Sequence, residues 1–260
     1  RSSGSHIKGT NGSSSGIIPW LKIFNSLLVA VNQGGKRPGA GCAYLEPWHL
    51  DYEDFLNLRR NTGDDRLRCH DLHTASWVPD RFMRAVIGEE EWYMFDPNEC
   101  PELHDLFGEA FDKKYNFYCK KARAGEITNF KIVQAKDLWK KMLKVLFETS
   151  HPWNTFKDAC NIRYTNQHEG VVHSSNLCTE ITLHTTASQY KEGVKTEIGE
   201  TAVCNLGSIN LTNHIRESYD TKGVLLKRDM NWTALGETVN LAIRMLDNVI
   251  DLNFYPTQEA

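Results

Sequence analysis

Residues 174–180 read Ser-Ser-Asn-Leu-Cys-Thr-Glu, a cysteine with an amide two positions before it and a carboxylate two positions after it. In an extended chain successive side chains alternate between faces. Asn176, Cys178 and Glu180 would then share one face at spacings of roughly 7 Å, from a rise of about 3.3 Å per residue. Such a row offers one bound molecule an amide, a thiol and a carboxylate. Taken by itself, a cysteine between Leu177 and Thr179 reads first as a small buried hydrophobe. The rest of the chain has to decide.

The chain has 260 residues, room for one large domain or two small ones. Forty percent are hydrophobic, with seven Trp, nine Tyr and eleven Phe, enough to fill a sizeable core and to exclude a disordered chain. A formal charge of -3 leaves no electrostatic footprint for duplex DNA or anionic lipid, so neither nucleic acid nor membrane is expected as a partner. No apolar run reaches membrane-spanning length and the first residues lack the order of a signal peptide, which points to the cytoplasm. Seven scattered cysteines (Cys42, Cys69, Cys100, Cys119, Cys160, Cys178 and Cys204), none in a Cys-x-x-Cys pair, argue against a zinc site and a secreted disulfide framework. Among ten dispersed histidines, His49, His70 and His73 come nearest to a cluster, and no metal is expected.

The Gly/Ser-rich opening, residues 1–16, reads alone as a linker or fusion remnant. Residues 17–31 favour instead a loop feeding a helix, with Pro19 at its start and Leu21, Phe24, Leu27, Leu28 and Val31 as its apolar face. Four glycines in Gln33–Gly41 break that helix. Beyond it, a strand is expected over Cys42–Leu45, helices over Leu50–Leu58 and Pro79–Val86, and a strand near Trp92–Phe95. A charged, solvated helix is expected over 102–121, and another over Val133–Thr149 with Leu138, Met142, Val145 and Leu146 in the core. Strands over Ile181–Thr185 and Thr201–Leu206 and an amphipathic helix over Trp232–Leu252, stopping against Pro256, complete the reading. Alternating helices and short strands favour an α/β architecture with mostly parallel strands. The abrupt start and finish lead one to expect a piece of something longer.

Five separated motifs now combine: GTNGSSSGIIP at 9–19, QGGKRPGAGCAYLEPWHLD at 33–51, PNECP at 97–101, SSNLCTEI at 174–181 and AVCNLGSINL at 202–211. In this order they resemble the large catalytic subunit of class I ribonucleotide reductase, over essentially the whole chain. The resemblance implies that residues 1–260 are part of a ten-stranded α/β barrel with a central finger loop, lacking the regulatory cone, the upstream part of the barrel and the C-terminal part. The family replaces a ribose 2′-hydroxyl with hydrogen through a transient thiyl radical. Cys178 matches the radical cysteine, a role that suits a polarizable, redox-active sulfur. Glu180 would take the 3′-hydroxyl proton and Asn176 would orient the ribose hydroxyls. Loss of the 2′-oxygen as water needs two electrons, which a dithiol supplies on becoming a disulfide. Cys204 matches one member of that pair, its partner lying upstream of Arg1. The other five cysteines match no redox position and are expected to be packing or surface residues.

The glycine-rich pieces would serve regulation. GTNGSSSG lacks the ending of a P-loop, and is a weak phosphate cradle on its own. Within the resemblance, residues 9–16 (Gly9, Thr10, Asn11 and Gly12 among them) and 33–40 (Gln33, Gly34, Gly35, Lys36, Arg37) align with the two specificity loops that connect a deoxynucleotide effector to the substrate base. Gln33 and Arg37 would touch base and substrate, although an arginine in a loop is also simply a solvated charge. The helix from Pro19 would lie at a dimer interface. Implied partners are the remaining large-subunit segments, a second large subunit, a radical-generating small subunit, the ribonucleotide substrate and nucleotide effectors. No cofactor is expected in this chain. The radical cofactor would sit in the small subunit, and thioredoxin or glutaredoxin would supply reducing thiols. Two other readings stay open: a catalytically silent regulatory or assembly module, and a segment of an adenosylcobalamin-dependent reductase.

Overall fold

The computed structural model describes residues 1–255 and 257–260; Pro256, the expected stop of the last helix, and the side chain of Gln33, expected to touch base or substrate, lie outside the described residues. The chain divides into two compact units, Arg1–His184 and Thr185–Ala260.

The first unit opens with a hairpin, β1 (Ser3–Ile7) against β2 (Gly12–Ser15), where composition alone reads as linker. An anchor distant in sequence folds it. The Asp51 carboxylate accepts from Ser3 N at 2.9 Å and from Ile17 N at 3.1 Å, closing both ends of the hairpin on one side chain. Gly16 occupies that neck at φ 79°, and a Cβ there would lie 2.6 Å from Asp51 Oδ2. Only glycine meets both demands. Helix α1 (Ile18–Ala30) comes next, with proline in its first turn. It leads to a minimal hairpin of β3 (Asn32–Gln33) and β4 (Arg37–Pro38), which turns through Gly34 and Gly35 at φ 61° and 75°.

The unit continues through β5 (Cys42–Leu45), α2 (Tyr52–Leu56), β6 (His73–Val78), α3 (Asp80–Ile87), β7 (Glu91–Phe95) and α4 (Gly108–Arg123). It ends with β8 (Phe130–Gln134), α5 (Ala135–Thr149), β9 (Trp153–Phe156) and α6 (Lys157–Arg163). Strands β5, β6 and β9 make a parallel sheet in that order, and β7 pairs antiparallel with β8. The core gathers Phe82, Trp92, Phe95, Phe111 and Tyr115, none of them more than 1% exposed. Trp92 stacks on Tyr115 with centroids 4.5 Å apart and meets Phe82 edge-on at 4.9 Å. Each such aromatic pair adds about 0.5–1.5 kcal/mol beyond its buried area.

The second unit holds the hairpins β10 (Gln189–Lys191) with β11 (Val194–Glu197) and β12 (Ile215–Tyr219) with β13 (Leu225–Met230), then helix α7 (Trp232–Leu252). The Asn231 side chain caps α7 by accepting from Ala234 N at 3.3 Å.

The architecture is mixed α/β, but several expectations change. Among the described strand pairs β5–β6 and β6–β9 run parallel, His49 and Phe95 form an isolated parallel bridge, and none of the described sheets closes into a barrel. The helix expected from residue 102 begins at Gly108, because Pro101–Leu103 form a 3-10 turn. It is not a solvated face: Phe111, Tyr115, Tyr118, Cys119 and Ala122 are buried on one side of it. Val133 belongs to β8, and α5 starts two residues later, with Leu138, Met142 and Val145 buried as expected and Leu146 half-buried. The strands expected over 181–185 and 201–206 do not form, since β-branched residues make a strand only where a neighbouring strand pairs with them. Strands β6, β8 and β9, the four hairpins β1–β2, β3–β4, β10–β11 and β12–β13, and helix α6 are additions.

Candidate functional site

Segment 171–181 is fixed at its base before it turns. Val172 is fully buried, and Asn161 on α6 grips its backbone, accepting from Val172 N at 2.8 Å and donating to Val172 O at 3.0 Å. Farther on, Thr179 N donates to Asn176 O at 3.3 Å, which closes a turn with Leu177 and Cys178 at its tip. The neck is sewn shut. Asn176 Oδ1 accepts from Ile181 N at 3.2 Å, Ser175 Oγ donates to Ile181 O at 2.5 Å, and Tyr44 OH from β5 donates to Asn176 O at 2.8 Å. The extended row of Asn176, Cys178 and Glu180 is therefore corrected to a turn. Asn176 spends its amide oxygen on the neck, whereas Cys178 and Glu180 are exposed. Thr179 takes φ 70°, a conformation that costs a β-branched residue about 1–3 kcal/mol.

Leu177, Cys178 and Thr179 line an open cleft of about 450 Å³ together with His73 and Trp153, the first residues of β6 and β9, and His151, two residues before β9. His73 Nδ1 lies 2.9 Å from His151 Nε2. Burial lowers the pKa of both rings, which fits one neutral imidazole donating to another. Sequence spacing gives no sign of this pair, since 78 positions separate the two residues.

The seven thiols fall into two groups. Cys69, Cys100 and Cys119 are buried and Cys42 and Cys160 half-buried, but Cys178 and Cys204 are exposed. Burial pushes Cys42 up to about 12 and Cys119 up to about 11, and raises Cys69, Cys100 and Cys160 as well. A raised pKa withholds the thiolate, which is the reactive form. Cys204 lies in the second unit, in the stretch 201–210 that carries no regular structure.

Gly9, Thr10 and Asn11 occupy the exposed turn of the first hairpin, with Asn11 at φ 51°, and Gly12 begins β2. Gly34, Gly35, Lys36 and Arg37 form the exposed end of the second. Both expected regulatory loops are thus hairpin tips.

Three further side chains converge where sequence spacing shows nothing: ligand atoms of His104, Asp105 and His173 lie within 4.8 Å of one another. His173 Nε2 is 2.7 Å from Asp105 Oδ1, and the His104 and His173 rings stack with centroids 4.0 Å apart. Burial, the neighbouring His104 and the Lys157 ammonium together bring His173 down to about 4. Of the histidines expected to come nearest a cluster, His49 is buried beside Asp51, His70 faces Asp65, and His73 faces His151.

Comparison with known proteins agrees with the motif reading. Residues 1–260 match the family described as ribonucleotide reductase, barrel domain. The ribonucleoside-diphosphate reductase subunit alpha of Chlamydia muridarum is 54% identical over 260 residues, covering 100% of this chain and 23% of the relative. The corresponding subunit of Helicobacter pylori strain J99 is 39% identical over 304 residues, 36% of its length. The ribonucleoside-diphosphate reductase large subunit of Danio rerio is 39% identical over 261 residues, 30% of its length. The chain spans roughly a quarter to a third of the curated relatives it matches. It belongs to the ribonucleotide reductase barrel-domain family.

Proposed function

We propose that this chain supplies the radical-bearing loop of a ribonucleoside-diphosphate reductase and works when assembled with the rest of a large subunit and a radical-generating small subunit. The observation that carries the reading is the presentation of Cys178: an exposed thiol at the tip of a pinned turn, facing a cleft, in a chain whose buried thiols are held protonated. As a thiyl radical, Cys178 lifts the hydrogen atom from the substrate's 3′-carbon. Glu180 accepts the 3′-hydroxyl proton, and the 2′-oxygen leaves as water. Cys204 and an upstream thiol supply two electrons and become a disulfide, and Cys178 returns the hydrogen to the 3′-carbon. External dithiols of the thioredoxin or glutaredoxin kind then restore the pair. Asn176 orders the ribose hydroxyls through its NH₂, its amide oxygen being held by Ile181 N and Ser175. The strained Thr179 keeps the sulfur at the tip.

In the same reading the hairpin tips at 9–12 and 34–37 are the effector and specificity loops. Helix α1 belongs to an interface between two large subunits. It supports this that Trp20, Phe24 and Leu27 are 67%, 54% and 52% exposed on α1. The assembled residues 1–260 form part of the ten-stranded barrel, with 173–181 as its finger loop.

The test is reduction of a ribonucleoside diphosphate by the reconstituted assembly. Cys178→Ala is expected to abolish product while circular dichroism stays unchanged, and Cys42→Ala to retain activity. Turnover by Cys178→Ala would sink the proposal. Full activity in mixtures lacking this chain would instead make it a silent module. Activity restored by adenosylcobalamin without a small subunit would reassign the source of the radical.

A further inference from the structure

We infer that His104, Asp105 and His173 form a binding site for one borderline divalent transition metal of the zinc class, placed so that the ion ties down the base of the loop carrying Cys178. The inference is independent of the radical chemistry above. Two imidazoles and a carboxylate are the donor set that such ions take with three protein ligands and an open fourth position, whereas magnesium and calcium prefer oxygen alone.

The ligands come from two segments held by one helix. Lys157 of α6, fully buried, donates from Nζ to Leu103 O at 3.2 Å and to His104 O at 3.0 Å. One turn farther along the same helix, Asn161 grips Val172, the residue before His173. The backbones that carry the ligands are therefore set before any ion arrives. Preorganisation of this kind is what separates a binding site from a chance meeting of surface side chains.

The side chains fit the same purpose. His173 is mostly covered, with 16% of its side chain exposed, while His104 and Asp105 are 54% and 67% exposed, so the cluster opens to solvent on one side. His173 already turns Nε2 toward Asp105 Oδ1. Bonds of about 2.0–2.1 Å at a tetrahedral ion set ligand atoms roughly 3.3 Å apart; His173 Nε2 and Asp105 Oδ1, at 2.7 Å, are a little closer than that, and all three ligand atoms lie within 4.8 Å. The exposed His104 and Asp105 side chains would need only small rotations to meet one ion. Glu46, buried and paired with Lys157 at 2.8 Å, places Oε1 at 3.6 Å from His104 Nδ1, a carboxylate beside the cluster. The Lys157 ammonium opposes a second cation nearby, but Glu46 and Asp105 offset it.

The bound ion would restrain the loop. It makes residues 104–105 and 173 one unit, and His173 immediately precedes the Ser174–Glu180 motif. The fixed point then lies one residue before the motif begins.

The test titrates the purified chain with Co²⁺, reading ligand-field absorption, and with Zn²⁺ by calorimetry. One equivalent is expected to bind. Asp105→Asn, an exposed and nearly isosteric change, and the pair His104→Ala with His173→Ala are each expected to weaken binding by more than roughly tenfold. Cys178→Ala with Cys204→Ala is expected to leave it unchanged. On Zn²⁺ addition, amide exchange should slow over 103–106 and 172–175. Absence of a stoichiometric site, binding that survives His104→Ala with His173→Ala, or binding lost with the thiols would each overturn the inference.

Discussion

His49 shows how much one residue's protonation can matter. It is buried, and its Nδ1 accepts from Asp51 N at 3.1 Å, so the ring has to be neutral to hold that bond. Burial lowers its pKa from 6.5 to about 4, against the attraction of Asp51, Asp96 and Glu46. The folded state therefore resists a proton that the unfolded chain takes up. Between about 6.5 and about 4 the unfolded state binds more protons, so stability falls as pH drops through this window and the contribution of His49 levels off below it. Urea unfolding from pH 7 to pH 4 should show the loss, and His49→Gln, which has no charge to gain, should flatten the slope in that window. An unchanged slope would remove His49 as the cause. Gly16 makes a steric counterpart. Gly16→Ala forces a Cβ against the Asp51 carboxylate at a positive φ, and should cost about 1–3 kcal/mol in the same measurement.

At the scale of elements, α6 does the most with the fewest residues. Lys157 joins it to Glu46 and to the carbonyls of 103 and 104, Asn161 joins it to Val172, and Asp158 accepts from Asp80 N and Gly108 N at the starts of α3 and α4. Lys157→Met leaves the Glu46 carboxylate buried without its cation, and is expected to destabilise the chain by about 3–5 kcal/mol in urea unfolding. A loss under about 1 kcal/mol would mean that water reaches Glu46.

Helix α6 is also what sequence reading misses. Its seven residues, Lys-Asp-Ala-Cys-Asn-Ile-Arg, carry too little apolar periodicity to announce a helix, and its buried lysine and aspartate imitate a surface segment. Where periodicity is long or alternation clear, as in α1, α7 and β5, the elements appear where they are expected. The first hairpin is hidden because its stability comes from Asp51, far from its glycines and serines. In the site, residue types are legible from the motifs, but their arrangement is not. The turn at 176–179 depends on Tyr44 from another strand, and the His73–His151 and His104–His173 meetings are products of the tertiary fold.

At the scale of the whole molecule, two helices leave apolar residues exposed. Along with the face of α1, helix α7 of the second unit has no fully buried residue, and Leu241, Ile243 and Met245 are 61%, 61% and 60% exposed. Contiguous exposed apolar faces are a common feature of interaction surfaces. The chain spans 23% to 36% of the length of these relatives, and the proposed assembly would place other large-subunit segments on these faces. Complementary large-subunit segments should accordingly reduce binding of a hydrophobic dye to this chain. Phe24→Glu should weaken self-association of the assembled large subunit in sedimentation velocity without altering its secondary structure. An unchanged sedimentation profile would exclude α1 from that interface.

The account as a whole depends on Cys178 taking a hydrogen atom from the 3′-carbon of a ribonucleotide. The most direct measurement is kcat/KM for a 3′-deuterated ribonucleoside diphosphate in the reconstituted assembly, with wild-type chain and with Cys178→Ala. The account predicts slower reduction of the deuterated substrate by the wild type and no product from the variant. Equal rates with both isotopes together with continued reduction by Cys178→Ala would contradict it.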